Sequence, residues 1–383
     1  MRRYSIGLIG YGGFGRFLHE AWSEMDRVDV TVVADADLDR NPKDVRFYSD
    51  WERLISDSQV DIVAIATPPA THAAMAVAAL KEGKHVLVEK PIATTMEDAN
   101  QILAERDRAH LHITVDFMLR FNPIVEALHR WCRNGRFGVL RRVVVENYAQ
   151  DESLSPEHWF WDQALSGGIL VEHAVHFFDV VRWCSGSRAV RVNGIGLHRN
   201  RRQEDRMMAT VLHEDGLVAT HYHSFSRPNF FERTSMRFVF DLLEITLEGW
   251  IPMSGRLRAI VNEENESELT HLPGFATTVR QTESDKESMA GPSRAAAARQ
   301  TIAVAGRPYQ MEAVIEGAFA LPRTKSEEYA RSLRALMSDF VGAIDDPSQR
   351  LRVTAEDGVA SLEIALAATA DAHRPSDSNL LRV

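Results

Sequence analysis

A glycine-rich stretch near the start of the chain constrains the fold more than any other feature. Tyr4 to Ile9 is predicted to be a strand, the next residues follow the spacing G-x-G-x-x-G, and Phe14 to Met25 has the period of an amphipathic helix. In this context the glycines permit a tight turn, close approach of a pyrophosphate and close helix–strand packing, while the helix N-terminus favours phosphate. We therefore predict a dinucleotide site with contacts from Gly10, Gly12, Gly13, Phe14 and Gly15.

The end of the second predicted strand indicates which dinucleotide is bound. Val28 to Ala34 is followed by Asp35, twenty residues after Gly15. An acid at this spacing can accept hydrogen bonds from the ribose hydroxyls and would repel a 2′-phosphate. Arg40 is the one nearby residue that would favour NADP. The pattern predicts NAD, with NADP left open.

Strand and helix patterns then alternate as far as residue 118. Strands are predicted at 46–48, 61–66, 86–88 and 113–118, and helices at 51–56, 73–82 and from a capping box at Thr94–Glu97 to about 109. This order predicts an N-terminal Rossmann domain, residues 1–121, with a doubly wound parallel sheet. Ligands bind beyond the carboxyl ends of such strands. Two of the loops there supply further predicted cofactor residues, which are Thr67, Pro68, His72, Glu89 and Lys90.

The pattern changes after Pro123. A helix at 124–134 is followed by strands predicted at 139–147, 189–197, 206–212, 217–225, 234–240 and 243–248. Short turns between such strands indicate a large, mainly antiparallel open sheet. Residues 277–299 are interpreted as a polar loop, and helices are predicted at 325–345 and 354–372. Residues 122–383 are therefore predicted to form an α+β domain, whose last helix packs back toward the first domain.

The segment from Ser166 to Asp179 carries the second candidate group of chemical residues. On a helix Glu172 and His176 are i and i+4 and share a face, so the acid could orient the histidine and raise its basicity as a general base. His173 lies close to that face but is more readily explained as a core residue. Zinc bound by Glu172, His173 and His176 is the alternative, but no HExxH or CxxC motif supports it, and we expect no metal. Trp161 is the aromatic residue that best suits a sugar-binding wall.

Composition restricts the classes of function. The 383 residues carry a formal net charge of −10, which argues against binding to nucleic acid. The two cysteines cannot form a disulfide framework, and neither a membrane-spanning run nor a signal-peptide pattern is expected. We therefore expect a cytoplasmic protein.

These motifs together resemble the Gfo/Idh/MocA family of NAD(P)-dependent oxidoreductases, which includes inositol and sugar dehydrogenases. The resemblance rests on the glycine loop, on Asp35, and on the stretches at 67–72, 89–91, 120–123, 167–179 and 353–358. It implies that Lys90 is an active-site residue beside the nicotinamide, that the Lys90–Pro91 bond is cis, and that His176 is the base for a sugar or cyclitol hydroxyl. The chain departs from the family pattern at Glu172, where many members have Asp, and at Ser166, where many have Gly.

The resemblance also implies a substrate site and an assembly. Its substrate contacts would be Lys90, Arg120, Trp161, Glu172, His173 and His176. A homodimer or homotetramer would form through the open sheet. The resulting hypothesis is hydride transfer between the nicotinamide and a secondary alcohol or ketone of a sugar, sugar derivative or cyclitol. Redox-assisted elimination without net NADH and a non-catalytic sugar- or dinucleotide-sensing regulator are the alternatives.

Overall fold

Six parallel strands form the first sheet of this computed structural model, which describes residues 2–282 and 300–374. The strands are Tyr4–Ile9 (β1), Val28–Ala34 (β2), Arg46–Tyr48 (β3), Ile62–Ile65 (β4), His85–Val88 (β5) and Ile113–Val115 (β6). The helices between them are Gly13–Ser23 (α1), Trp51–Ile55 (α2), His72–Lys81 (α3) and Met96–Ala109 (α4). The side chains of β4 are buried, as expected of a strand covered by helices on both faces. The predicted doubly wound sheet is confirmed.

The strand order places two loops side by side. The order is β3-β2-β1-β4-β5-β6. From β1 the chain adds strands toward one edge of the sheet as far as β3, and it then returns to β4 and adds strands toward the other edge, so the strand order reverses between β1 and β4. Crevices form at the carboxyl ends of strands at such a point. The loop after β1 begins with Gly10, whose added Cβ would lie 2.4 Å from the Ala66 carbonyl oxygen at the end of β4.

A nine-stranded sheet forms the second half of the fold. Its strands are Leu140–Gln150 (β7), Ala189–His198 (β8), Glu204–His213 (β9), Val218–Arg227 (β10), Arg233–Phe240 (β11), Leu243–Glu248 (β12), Ser254–Val261 (β13), Ala276–Thr282 (β14) and Ala313–Ala320 (β17). A separate hairpin consists of Gln300–Val304 (β15) and Arg307–Met311 (β16). In the order β14-β17-β13-β12-β11-β7-β10-β9-β8, only β7 and β10 pair in parallel, so the mainly antiparallel sheet is confirmed.

Helices cover one face of this sheet. The helices of this half are Pro123–Asn134 (α5), Gln163–Ser166 (α6), Val175–Ser185 (α7), Glu266–Leu269 (α8), Lys325–Asp345 (α9) and Ala355–Ala372 (α10). Of these, α7 packs against β7, and α10 packs against β8 and β9. Along β10, Ala219, His221 and His223 are buried, whereas Thr220 and Tyr222 on the other face are partly exposed. The second face of the sheet is thus open in the single chain.

The last helix joins the two halves. α10 packs against α7 and β8 in the second half, and against α4 and β6 in the first. Gly358 of α10 allows this approach, because a Cβ there would lie 2.8 Å from the Val115 side chain. All strands of the first sheet precede residue 121, and all strands of the second sheet follow it. The domain boundary at this residue stays a prediction.

Three local predictions were wrong. Helix α4 is capped by Thr95, which accepts a hydrogen bond from the Asp98 N–H, rather than by Thr94. The strand expected at 113–118 ends at Val115, because a 3-10 turn, Met118–Phe121, follows. The polar loop expected at 277–299 begins as a strand, since residues 276–282 pair with β17; residues 283–299 lie outside the described part.

One segment passes a simple test for a membrane span. Gln163–Ser185 is long and apolar enough by length and composition, but 72% of that window is buried inside the fold. Apolar core helices of globular folds pass the same test.

Candidate active site

A cleft of about 850 Å³ runs from the glycine loop to the helix that carries His176. Its walls include the ends of β1, β2, β4 and β5 on one side, and residues of the second half on the other. The predicted residues that line it are Gly10, Gly12, Gly13, Phe14, Gly15, Asp35, Thr67, Pro68, Glu89, Lys90, Glu172, His173 and His176. The fold thus brings five separate sequence regions into one cavity.

The glycine loop has the geometry of a phosphate cradle. Gly10 has a φ of +90°, which side-chain-bearing residues rarely adopt. A Cβ on Gly15 would lie 2.0 Å from the Gly10 carbonyl oxygen, so only glycine lets α1 start this close to the loop. No side chain of the described residues caps the N-terminus of α1, where the N-cap is Gly12, so its first N–H groups are available to an anion. These features fit the pyrophosphate of a dinucleotide.

Asp35 lies at the ribose end of the cleft in a fixed orientation. Its carboxylate accepts the Tyr11 N–H at 2.7 Å and the Asp37 N–H at 2.9 Å. Arg40 contacts the carboxylates of both Asp35 and Asp37, at 3.2 Å each. Because two acids neutralise this arginine, a 2′-phosphate would gain little from it. The arrangement suits NAD.

His72 does not line the cleft, so its predicted role as a cofactor contact was wrong. Its ring is fully buried, and its two nitrogens lie 2.7 Å from the Pro91 carbonyl oxygen and 2.8 Å from the Thr67 carbonyl oxygen. The ring therefore joins the loop after β4 to the loop after β5. His72 positions the two loops that face the cofactor end of the cleft.

Lys90 reaches from the end of β5 to the second half of the fold. Its Nζ donates to the Glu172 carboxylate at 2.7 Å and to the Glu172 carbonyl oxygen at 2.8 Å. Burial alone would lower the pKa of Lys90, but the neighbouring carboxyl groups, Glu172 foremost, outweigh burial and raise it. The side chain is thus a buried ammonium, and the Lys90–Pro91 peptide bond is cis.

His176 faces the cleft beside Lys90 without the expected acid. Its Nδ1 is buried and has no hydrogen-bond partner among residues 2–282 and 300–374, and its ring lies 6.0 Å from that of Trp250. Burial, then Lys90 and His173, hold the pKa of His176 well below its usual value, so the ring is neutral. The predicted pairing of Glu172 with His176 was wrong, because Leu170–Ala174 forms a π-helical turn and Glu172 bonds to Lys90 instead.

His173 lies at the inner wall of the same cavity. Its ring contacts those of Phe177, His223 and Phe225, with centroids 5.1 to 5.5 Å away. Burial and Lys90 lower the pKa of His173 to about 3. His173 is thus a neutral ring packed on the sheet, with one face toward the cleft.

Arg120 is a structural residue, which corrects its prediction as a substrate contact. Its guanidinium is 2% exposed and donates to the two oxygens of Asp179 at 2.8 and 2.6 Å. It also donates to Asp357 at 2.9 Å and to the Arg352 carbonyl oxygen at 2.6 Å. The arginine therefore ties the end of the Rossmann half to α7 and α10, and has no free group for a ligand.

Trp161 points away from the cleft, so its prediction as a substrate wall was also wrong. Its indole N–H donates to the Leu154 carbonyl oxygen at 3.3 Å, and Arg199 lies 5.1 Å above the ring. Trp159 lines the cleft instead, and also lines an adjoining chamber of about 300 Å³ next to Glu172 and His173.

Sequence reasoning missed several other cleft residues. These are His158, Trp159, Trp250 and Tyr329. Tyr329 is on α9, about 240 residues after Lys90 in sequence, and Trp250 follows β12, so neither lies near a motif. Among the described residues, no group of three or more His, Cys, Asp or Glu side chains is arranged to hold a metal ion.

Comparison with known proteins agrees with this geometry. Residues 4–117 match the family model described as the oxidoreductase family, NAD-binding Rossmann fold. Residues 125–240 match the model of the GFO/IDH/MocA C-terminal domain. The matched regions are those that contain the glycine loop, Lys90 and His176.

Two curated relatives have names that specify a substrate. Inositol 2-dehydrogenase 1 of Saccharopolyspora erythraea is 33% identical over 207 residues, which cover 51% of this chain and 58% of the relative. Levoglucosan dehydrogenase of Pseudarthrobacter phenanthrenivorans is 30% identical over 205 residues, which cover 49% of this chain and 52% of the relative. The chain thus spans little more than half the length of these relatives.

A solved structure resembles the whole chain. Levoglucosan dehydrogenase in complex with NADH and levoglucosan superposes with a TM-score of 0.74, at 19% identity, over 97% of each chain. At this identity the likeness concerns the fold. On the evidence of its two matched domains, the chain belongs to the GFO/IDH/MocA family of oxidoreductases and has an NAD-binding Rossmann domain.

Proposed function

We propose that the protein is an NAD-dependent oxidoreductase that interconverts a secondary alcohol and a ketone on a sugar, sugar derivative or cyclitol. The observation that carries this proposal is the meeting of Lys90 and His176 in the cavity that also contains the glycine loop. The relatives named as inositol and levoglucosan dehydrogenases support the substrate class.

Lys90 is assigned the role of polarising the reacting oxygen. An ammonium has three N–H donors, and Glu172 takes two of them. The third is free to donate to the oxygen of the substrate. Because Lys90 is buried and charged, that hydrogen bond strengthens as negative charge develops on the oxygen during oxidation.

His176 is assigned the role of general base. Burial keeps its imidazole neutral, which is the form that accepts a proton. In oxidation the hydroxyl proton passes to the imidazole, and the carbon-bound hydrogen leaves as hydride. The bound NAD supplies the acceptor for that hydride, so the protein's task is to orient the substrate and move the proton.

The test separates catalysis from cofactor binding. Lys90→Met and His176→Ala should each lower NADH formation from the best member of a polyol and sugar panel by at least about a hundredfold. Their affinity for NAD should remain close to that of the unmodified protein, and Glu97→Gln on the exposed start of α4 serves as the control. Full turnover in either variant would refute the role given to that residue. If no compound yields net NADH, product analysis would show whether an elimination occurs instead.

We also propose that a second copy of the chain covers the open face of the nine-stranded sheet. Ile195 and Leu197 on the edge strand β8 are 59% and 49% exposed, and the rings of Tyr148 and Tyr222 lie 5.3 Å apart on the same face. Such exposed apolar groups are typical of interfaces. Light scattering after gel filtration should give a dimer or tetramer, and Ile195→Asp should dissociate it; a monomeric unmodified protein would contradict the proposal.

The remaining proposals concern location and partners. We propose a cytoplasmic protein that binds neither nucleic acid nor membrane. The net charge of −10 and the free thiols of Cys132 and Cys184 support this proposal. Fractionation of the cells that express the protein tests it.

A further inference from the structure

Two carboxyl groups lie side by side behind Lys90. Glu89 directly follows β5 and Asp116 directly follows β6, and the last residues of these strands, Val88 and Val115, are register partners. Glu89 is 9% exposed and Asp116 is 2% exposed. Glu89 lines the cleft, whereas Asp116 lies beneath it. The pair is at the inner end of the site assigned to the cofactor.

Each carboxyl group has one oxygen held by the backbone and one without a donor. Glu89 Oε2 accepts the Lys90 N–H at 3.2 Å, and Asp116 accepts the N–H of Met118. The other oxygens, Glu89 Oε1 and Asp116 Oδ1, are buried and have no donor among the described residues. Buried carboxylate oxygens without a donor are costly. The two side chains are within hydrogen-bonding reach of each other, so one proton between them would satisfy both oxygens.

The surroundings favour one proton on the pair. Burial, followed by the charge of Asp116, raises the pKa of Glu89 well above its usual value. Burial also raises the pKa of Asp116, but Glu89 and Lys90 counteract it. The pair therefore holds one proton and one negative charge, as do other pairs of carboxyl groups in which like charges cannot both form.

The neighbouring groups do not cancel the negative charge of the pair. Lys90 is already paired with Glu172. Tyr329 faces the pair from α9 and is neutral, since burial and these acids raise its pKa well above its usual value. His173 and His176 are neutral as well, because burial lowers their pKa. The inner end of the cleft thus keeps one negative charge in excess.

We propose that Glu89 and Asp116 share a single proton, and that the one negative charge of the pair favours the oxidised over the reduced dinucleotide. The inference rests on the dinucleotide site described above. The nicotinamide ring is cationic in NAD⁺ and neutral in NADH, so a buried negative charge near it stabilises only the oxidised form. The pair acts on the cofactor through its charge, and neither carboxyl group is required to touch the substrate.

The test compares cofactor affinities in a double-mutant cycle. NAD⁺ and NADH are titrated into the full-length protein, into Glu89→Gln, into Asp116→Asn and into the double variant. Each single variant keeps one carboxylate and supplies an amide donor to it, so its ratio of the two dissociation constants should stay within about threefold of the unmodified protein. The double variant has no carboxylate, and its preference for NAD⁺ should fall by about tenfold. Glu97→Gln on the exposed start of α4 is the matched control for loss of one surface charge.

Other patterns would overturn the proposal. Equal shifts in the two single variants that add in the double variant would mean that both groups are charged. An unchanged ratio in the double variant would mean that the pair carries no charge that the cofactor senses. Failure of the unmodified protein to bind either dinucleotide would instead refute the cofactor site itself.

A second measurement does not depend on cofactor binding. The infrared spectrum of the free protein at neutral pH should contain the carbonyl band of a protonated, buried carboxyl group. That band should be absent from both single variants, because each retains only an ionised carboxylate. Absence of the band from the unmodified protein would contradict the shared proton, even if the double variant failed to bind a cofactor.

Discussion

Adjacent side chains can face different cavities, as the aromatic turn Trp159–Trp161 demonstrates. In a 3-10 turn successive side chains point about 120° apart, so Trp159 and Trp161 cannot face the same cavity. Trp159 lines the cleft beside His173, whereas Trp161 packs against Arg199 and Leu154. The composition of the turn predicts an aromatic wall, but not which ring forms it.

The two tryptophans give a prediction at the residue scale. Trp159→Ala removes an apolar wall from the substrate side of the cleft, so the KM for the best sugar or cyclitol should rise by about tenfold or more. Trp161→Ala is the matched control and should leave KM unchanged while it lowers the free energy of unfolding by about 3 kcal/mol. Steady-state kinetics and urea unfolding of both variants are the measurements. If Trp161→Ala raised KM more than Trp159→Ala does, the placement of these two rings would be contradicted.

Regular elements followed their local periodicity closely. The bounds of β12 and α9 match the predictions at 243–248 and 325–345, because apolar residues recur at the period of a strand and of a helix. β14 was missed because its side chains are largely exposed and show no apolar alternation. It is a strand because its backbone pairs with β17. The local sequence of β14 does not indicate that its backbone will hydrogen-bond to a strand as distant in sequence as β17.

The glycine loop gives a prediction at the scale of the element. Gly15→Ala would place a Cβ 2.0 Å from the Gly10 carbonyl oxygen, so α1 must move away from the loop. We expect a loss of about 1–3 kcal/mol in the free energy of unfolding and a weaker affinity for NAD. Gly13→Ala is the control for stability, since nothing lies within 4 Å of its added Cβ. Thermal unfolding without cofactor should lower the melting temperature only for Gly15→Ala.

At the scale of the whole molecule, the sequence predicted which loops carry the charged residues of the site, but not which distant residues they contact. Lys90 and Glu172 were both predicted as active-site residues, yet their ion pair joins positions 82 residues apart. Both Lys90 and His176 were candidates to pair with Glu172. Which of them Glu172 binds depends on how the two halves of the fold pack against each other. Arg120 was misassigned for the same reason, since Asp357 is 237 residues away. Local motifs therefore predict which groups are present and leave their pairing open.

Buried histidines predict how the stability of the protein depends on pH. Burial, and then His173, hold the pKa of His223 well below the value of about 6.5 that it has when unfolded. Between these two values the unfolded chain binds more protons, so the free energy of unfolding falls as the pH falls from 7 to 5. His223→Leu should reduce that fall by about 2 kcal/mol.

Urea unfolding at pH 7 and pH 5 measures this effect. An equal pH dependence in His223→Leu and in the unmodified protein would show that folding does not lower the pKa of His223.

The ion-pair network of Arg120 bears on the order in which a newly made chain acquires activity. Asp179 lies three residues after His176 on α7 and is held by Arg120, which in turn needs Asp357 on the last helix. Until that helix has been translated, Arg120 has buried donors without a partner, and the helix that carries the base is not held in place. A ribosome that has completed the Rossmann sheet, Lys90 and His176 has therefore not yet assembled the site that we propose for catalysis. The proposed site is completed by a segment that is synthesised well after the residues that carry its chemistry.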